Sequence, residues 1–146
     1  GLGYLDNKYG LEYSDSNGMN AVRAVDPNVA YCSDKYYQIL ENQFFSIVKT
    51  DPWFVIKSVL AKIAILFLTI LLFANFGVLF YFYIKPPIKT VVPFVVAACF
   101  YSLQGILVVP YNHYILGMIS MTTIFGIYMI GLGLEKLLKI EPILDS

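Results

Sequence analysis

Charge is scarce in this sequence, and histidine, tryptophan and cysteine are scarcer still. Lys, Arg, Asp and Glu make up 14% of the 146 residues, where a soluble domain carries about 25%. An ordinary water-facing surface is therefore excluded for much of the chain. Ten basic and ten acidic residues cancel to a net charge of zero. This leaves no basic field to hold nucleic acid and no acidic tail to solvate a disordered chain. The single histidine, His113, excludes a two-histidine metal site and a conventional nucleophile triad within these residues. Cys32 and Cys99 have neither metal-ligand nor redox spacing and read as free thiols. No motif for a cofactor is found. No charged n-region with a short apolar stretch and cleavage site is present, and the sequence opens on Gly1, so it reads as a piece of a longer or processed protein.

What is present is apolar and unevenly distributed. Hydrophobic residues make up 58% of the chain. Of the 20 charges, 13 lie in residues 1–62, and only Lys85 and Lys89 lie between Ile63 and Leu134. The run Ile63–Ile84 holds 22 residues without a charge. At about 1.5 Å per residue it spans roughly 33 Å, enough for a hydrocarbon core of about 30 Å. Its aromatic end, with Tyr81 and Tyr83 followed by Lys85, suits rings at headgroup level and a cation in water. Pro86 and Pro87 break the helix before Lys89. A second run, Thr90–Val109, starts with Pro93 in its first turn, and a third runs from Tyr114 to Leu134, leaving 135–146 as a tail. The expected fold is an all-α membrane protein in which three transmembrane helices follow a small extramembrane loop-and-helix segment.

Residues 1–62 form that segment. Gly3, Gly10 and Gly18 with the Asp6-Asn7 and Asp15-Ser16-Asn17 strings mark turns. A short helix is expected over 19–25, begun near Ser16 or Asn17 and ended by Asp26-Pro27. An amphipathic helix over about 34–49 follows from the Ser33 cap and the spacing of Tyr37, Leu40, Phe44 and Val48. Thr50 or Asp51 can cap a further helix over 52–62 with Pro52 at its first position. Trp53, Lys57 and Lys62 then place this stretch at the membrane surface or run it into the first span, the lysine stems reaching for headgroups. Tyr111 and Tyr114, flanking His113, suit the interface at the short Pro110-Tyr111-Asn112-His113 turn. Lys85, Lys89, Lys136 and Lys139 on one side outnumber Lys49, Lys57 and Lys62 on the other. That bias favours a cytoplasmic C-terminus and an extracytoplasmic N-terminal segment.

Candidate chemistry is sparse. Asp6, Asn7, Glu12, Asp15 and Asn17 form the densest oxygen cluster, but their register lacks the closing glutamate of a twelve-residue calcium loop. Asp6 and Asp15 are the candidate acid–base carboxylates; turn formation and helix capping account for the same residues. Asn75, Ser102 and Gln104 are polar groups at membrane depth, of the kind that bond across helices. Ala98 with Ser102, and Thr122 with Gly126, place small residues four apart and favour packing of the second span on the third.

The string Gly1-Leu2-Gly3-Tyr4, then Asn7, Tyr9-Gly10, Tyr13, Asp15, Tyr31, Ser33, Tyr36-Tyr37 and Asp51-Pro52, resembles a segment of bacterial polytopic membrane proteins. Some of these sit beside cell-envelope glycosyl-transfer functions. The resemblance covers about residues 1–62 and implies an extracytoplasmic stretch leading into C-terminal spans, with further helices upstream as partners besides the bilayer. Three functions follow as expectations: a membrane module for anchoring and assembly, part of a transferase using a lipid-linked donor, or a subunit of a transport complex. In the transferase, Tyr4, Tyr9, Tyr13 and Trp53 would stack on a sugar or line the lipid entry. Uncharged spans disfavour the transport reading.

Overall fold

The computed structural model describes residues 2–139. Among them a 3-10 turn at Leu2–Tyr4 precedes α1 (Asp15–Val25), α2 (Asp34–Thr50), α3 (Pro52–Ala74), α4 (Phe76–Ile84), α5 (Ile88–Leu107) and α6 (Asn112–Leu138). The protein is all-α, and α3, α5 and α6 are each long and apolar enough to cross a membrane. Two compact units divide the chain, Gly1–Ala61 and the residues from Lys62 onward.

In the first unit, local chemistry sets the helix ends. Ser14 caps α1 by accepting from the Asn17 amide at 3.1 Å, and Asp15 adds favourable charge to the first turn. The helix thus begins four residues before the expected Met19, because Ser14 and not Ser16 or Asn17 is the cap. Ser33 caps α2 through the Tyr36 amide at 3.2 Å. Asp51 caps α3 through the Phe54 amide at 3.1 Å, with Pro52 at the first helical position, where its missing amide costs nothing. The helices α1 and α2 pack together around Val22, Val29 and Tyr36, with Met19, Ile39 and Leu40 against them.

The second unit is organised by α6. Its buried residues Ile115, Met118, Thr122, Gly126, Met129 and Gly133 recur every three or four positions and so form one stripe. Both α4 and α5 pack on α6, and Leu66 and Ile70 of α3 join Ile115, Met118 and Ile119 in its core. The first apolar run departs from expectation. A single helix over Ile63–Ile84 is replaced by the end of α3 and all of α4, with Asn75 between them at φ 49° and ψ −135°. Asparagine tolerates positive φ better than most residues, yet this ψ lies outside the left-handed helical well, so the conformation is strained and must be held by packing. The holding contact is with α6: a Cβ on Gly126 would lie 2.5 Å from the Ala74 carbonyl oxygen, and one on Gly77 would lie 2.5 Å from the Gly126 Cα. Backbone meets backbone on both sides of the break.

The other boundaries move less. Helix α5 starts at Ile88, which puts Pro93 inside the helix and not in its first turn. Helix α6 continues through Glu135 and Lys136 to Leu138, so the expected tail starts as helix, and residues 140–146 of that tail lie outside the described residues.

Candidate functional site

Asn7 and Asn17 build the N-terminal loop. The Asn7 side-chain oxygen accepts from the Tyr9 and Leu11 amides at 3.1 and 3.0 Å, while its amide nitrogen donates to the Leu5 and Leu11 carbonyls. Asn17 accepts from the Glu12 amide and donates to the Gly10 carbonyl. Gly10 turns the chain at φ 65°. The oxygen-rich cluster thus spends its amides on the backbone. Among the described residues no group of three or more His, Cys, Asp or Glu is placed to hold a metal.

The two candidate carboxylates line different clefts. Asp15 borders a cleft of about 330 Å³ with Glu12, Ser14, Asn17, Tyr36 and Gln43. Its charge holds the Tyr31 hydroxyl above the usual tyrosine range. Asp6 borders a second cleft of about 300 Å³ with Lys8, Tyr9, Asp51, Trp53 and Lys57. The structure therefore does not bring Asp6 and Asp15 together as an acid–base pair. In the second cleft Lys8 pairs with Asp51 at 3.0 Å, and the Tyr9 hydroxyl donates to the same carboxylate at 3.2 Å. Lys57 sits over the Trp53 ring, 5.6 Å from its centroid. Tyr4 and Tyr13 do not line this cleft; Tyr13 lines the first.

The Lys8 hydrogen bond holds the Asp51 carboxyl below the usual range, assisted by the Phe54 amide, and Lys35 does the same for Asp26. The Lys8 ammonium is correspondingly raised, first by its hydrogen bond to Asp51. A depressed carboxylate stabilises the folded state above its unfolded pKa of about 4 and loses that contribution as pH falls through the lower folded value. A raised lysine contributes below about 10.4 and loses that contribution as pH rises through its higher folded value. Trp53 fluorescence should therefore hold steady between those limits and change on acidification below about pH 4. Asp51→Asn should diminish the acid change; an unaltered profile would separate Trp53 from this carboxylate.

In the second unit, Lys62 departs furthest from expectation. It is 3% exposed and does not reach outward to headgroups. Its Nζ donates to the carbonyls of Ile106 at 3.0 Å and Val108 at 2.7 Å, at the C-terminal end of α5. The last carbonyls of a helix have no partner within it and carry partial negative charge, so a cation there satisfies both needs. Tyr81 is also turned inward, half-buried with its ring 6.4 Å from Phe125. Lys85, Lys89, Tyr83 and Tyr111 are exposed. Lys136 stands over the Tyr83 ring at 4.6 Å, which joins the α4 and α6 ends. Tyr114 is half-buried, with its ring 4.1 Å from His113.

Ser102, Thr122 and Gly126 are buried and Ala98 half-buried. The second and third spans pack on each other as expected, α5 on α6, while Gly126 serves a different contact. The Ser102 hydroxyl donates to the Ala98 carbonyl at 2.7 Å and Thr122 to Met118 at 2.9 Å, each within its own helix. Gly126 meets the first span, at Ala74 and Gly77. Ala98 and Thr122 line an apolar cavity of about 120 Å³ with Ile70, Ala74, Phe94 and Phe125. The small-residue spacing four apart does not single out Gly77 or Gly133, the latter lying under the Phe80 ring with no room for a Cβ. The spacing of Gly126 and Gly133, seven residues apart on one stripe, is the signal that could have found the second. No protein-family profile, curated protein sequence or solved structure matches this chain.

Proposed function

We propose that the chain is a membrane-embedded module that anchors and assembles a larger cell-envelope protein, its N-terminal unit held outside the bilayer. The observation that supports this reading most is the outward face of the second unit. Its core is the single α6 stripe, and large apolar side chains such as Leu72, Phe82, Ile88, Phe100 and Leu107 point away from that core. Only lipid or other helices can solvate such a face. The close placement of Lys136 and Tyr83 groups the KPPIK turn with the α6 end, so Lys85, Lys89 and Lys136 count together as one basic end. A cytoplasmic position for that end follows from the positive-inside bias, and a bacterial inner membrane is the setting that the resemblance of residues 1–62 implies.

Anchoring is tested by fusing a soluble reporter ahead of Leu2 and washing membranes with alkaline carbonate. The reporter should stay in the pellet. Release into the supernatant would overturn the reading.

A further inference from the structure

The first span carries an outward seam that its own unit leaves uncovered. Leu68 and Leu72 of α3, Asn75 at the break, and Leu79 and Phe82 of α4 lie along it. All five are exposed: Leu68 by 59%, Leu72 by 71%, Leu79 by 64% and Phe82 by 66%, with Asn75 in the same class. The opposite side of these helices, marked by Leu66, Ala74, Gly77 and Phe80, is the one that meets α6. Asn75 lies thirteen residues from Lys62 and ten from Lys85, or roughly 20 and 15 Å along a helix. That places its amide near mid-bilayer, where water is absent and an unpaired polar group is costly. Among the described residues its side chain makes no capping hydrogen bond.

We propose that this seam is the interface with a second copy of the chain, paired in parallel about a twofold axis along the membrane normal, with the two Asn75 amides bonded to each other. Copies inserted in the same orientation present each seam residue at the same depth, so a position meets its own counterpart. An amide carries both a donor and an acceptor. Two Asn75 side chains therefore satisfy each other, and a partner of different sequence would need a polar group at that one depth. A single asparagine in an otherwise apolar seam also fixes register, because any slip leaves both amides unpaired in hydrocarbon. The inference rests on the chain being membrane-embedded.

The test is association of the full chain in lipid nanodiscs and detergent, read by sedimentation and by oxidative cross-linking with Cys32 and Cys99 replaced by Ala. In that background Leu72→Cys should cross-link and Val96→Cys, exposed on α5, should not. Asn75→Gly keeps a residue that adopts positive φ while deleting the amide, and it should weaken association at least about threefold. A monomeric chain, undiminished association in Asn75→Gly, or cross-linking at Val96→Cys alone would each overturn the proposal. Alkaline extraction separates the two failures. A monomer that resists extraction removes only the dimer, whereas an extracted chain removes the membrane reading as well.

Discussion

Gly126→Leu should collapse the second unit, with a loss of thermal stability in detergent larger than that of Lys62→Met or Asn75→Gly. The added Cβ alone would lie 2.5 Å from the Ala74 carbonyl oxygen and 3.0 Å from the Ala74 carbonyl carbon. Those are backbone atoms, which cannot rotate away as a side-chain end can. Overpacking usually costs about 1–3 kcal/mol where side chains can shift. Here α6 must separate from the Asn75 break to admit even a Cβ, so Gly126→Ala is already costly and the cost for leucine exceeds that range. The strained Asn75 conformation depends on the same contact, and separation should let α3 and α4 fuse into a straighter helix. A rise in amide protection across residues 73–77 in Gly126→Leu would report that fusion. Unchanged thermal stability would remove Gly126 as the holding contact.

Lys62→Met should cost about 2 kcal/mol, the scale of losing hydrogen bonds made by a charged group. Two effects oppose each other. Removing the ammonium relieves the desolvation of a buried cation, which favours the variant. It also strips the Ile106 and Val108 carbonyls of their partner at a helix end. The second effect should win, since the ammonium sits at 2.7 and 3.0 Å from two aligned carbonyls and methionine preserves only the packing of the stem. Hydrogen exchange should show the damage locally, as faster exchange at the C-terminal turn of α5. Lys57→Met, at an exposed position, should leave α5 unaffected. A Lys62→Met variant more stable than the parent would mean that the lysine is tolerated there and does not cap α5.

Much of this architecture is legible in residues close in sequence. The apolar runs reveal the helices of the second unit because a bilayer requires their length, whatever their partners. Ser33, Asp51 and Pro52 mark helix starts because capping is a contact over three residues. The break at Asn75 cannot be read in this way. It has no proline beside it, and its cause lies at Gly126, in another helix about fifty residues on. Lys62 is misleading for a related reason. A lysine beside an apolar run ordinarily reaches for water, and only the end of α5 arriving from the other direction gives it a better partner inside. Gly126 is recognisable as a packing residue, yet its partner is not, since spacing shows that a helix has a small face without saying which neighbour uses it. The Asp6 and Asp15 carboxylates lie close in sequence, but Asp6 stays in the loop while Asp15 opens α1, and they border separate clefts.

The central claim is that α3 with α4, α5 and α6 cross the bilayer three times, and an odd number of crossings puts the two ends of the described chain on opposite sides. The direct measurement labels single cysteines with a membrane-impermeant thiol reagent in sealed vesicles of one orientation, in a Cys99→Ala background. The native Cys32, which is exposed in the first unit, is compared with Lys139→Cys in a chain that also carries Cys32→Ala. One of the two should react from outside and the other only after the vesicles are opened. Reaction of both from the same side would contradict the three-span account.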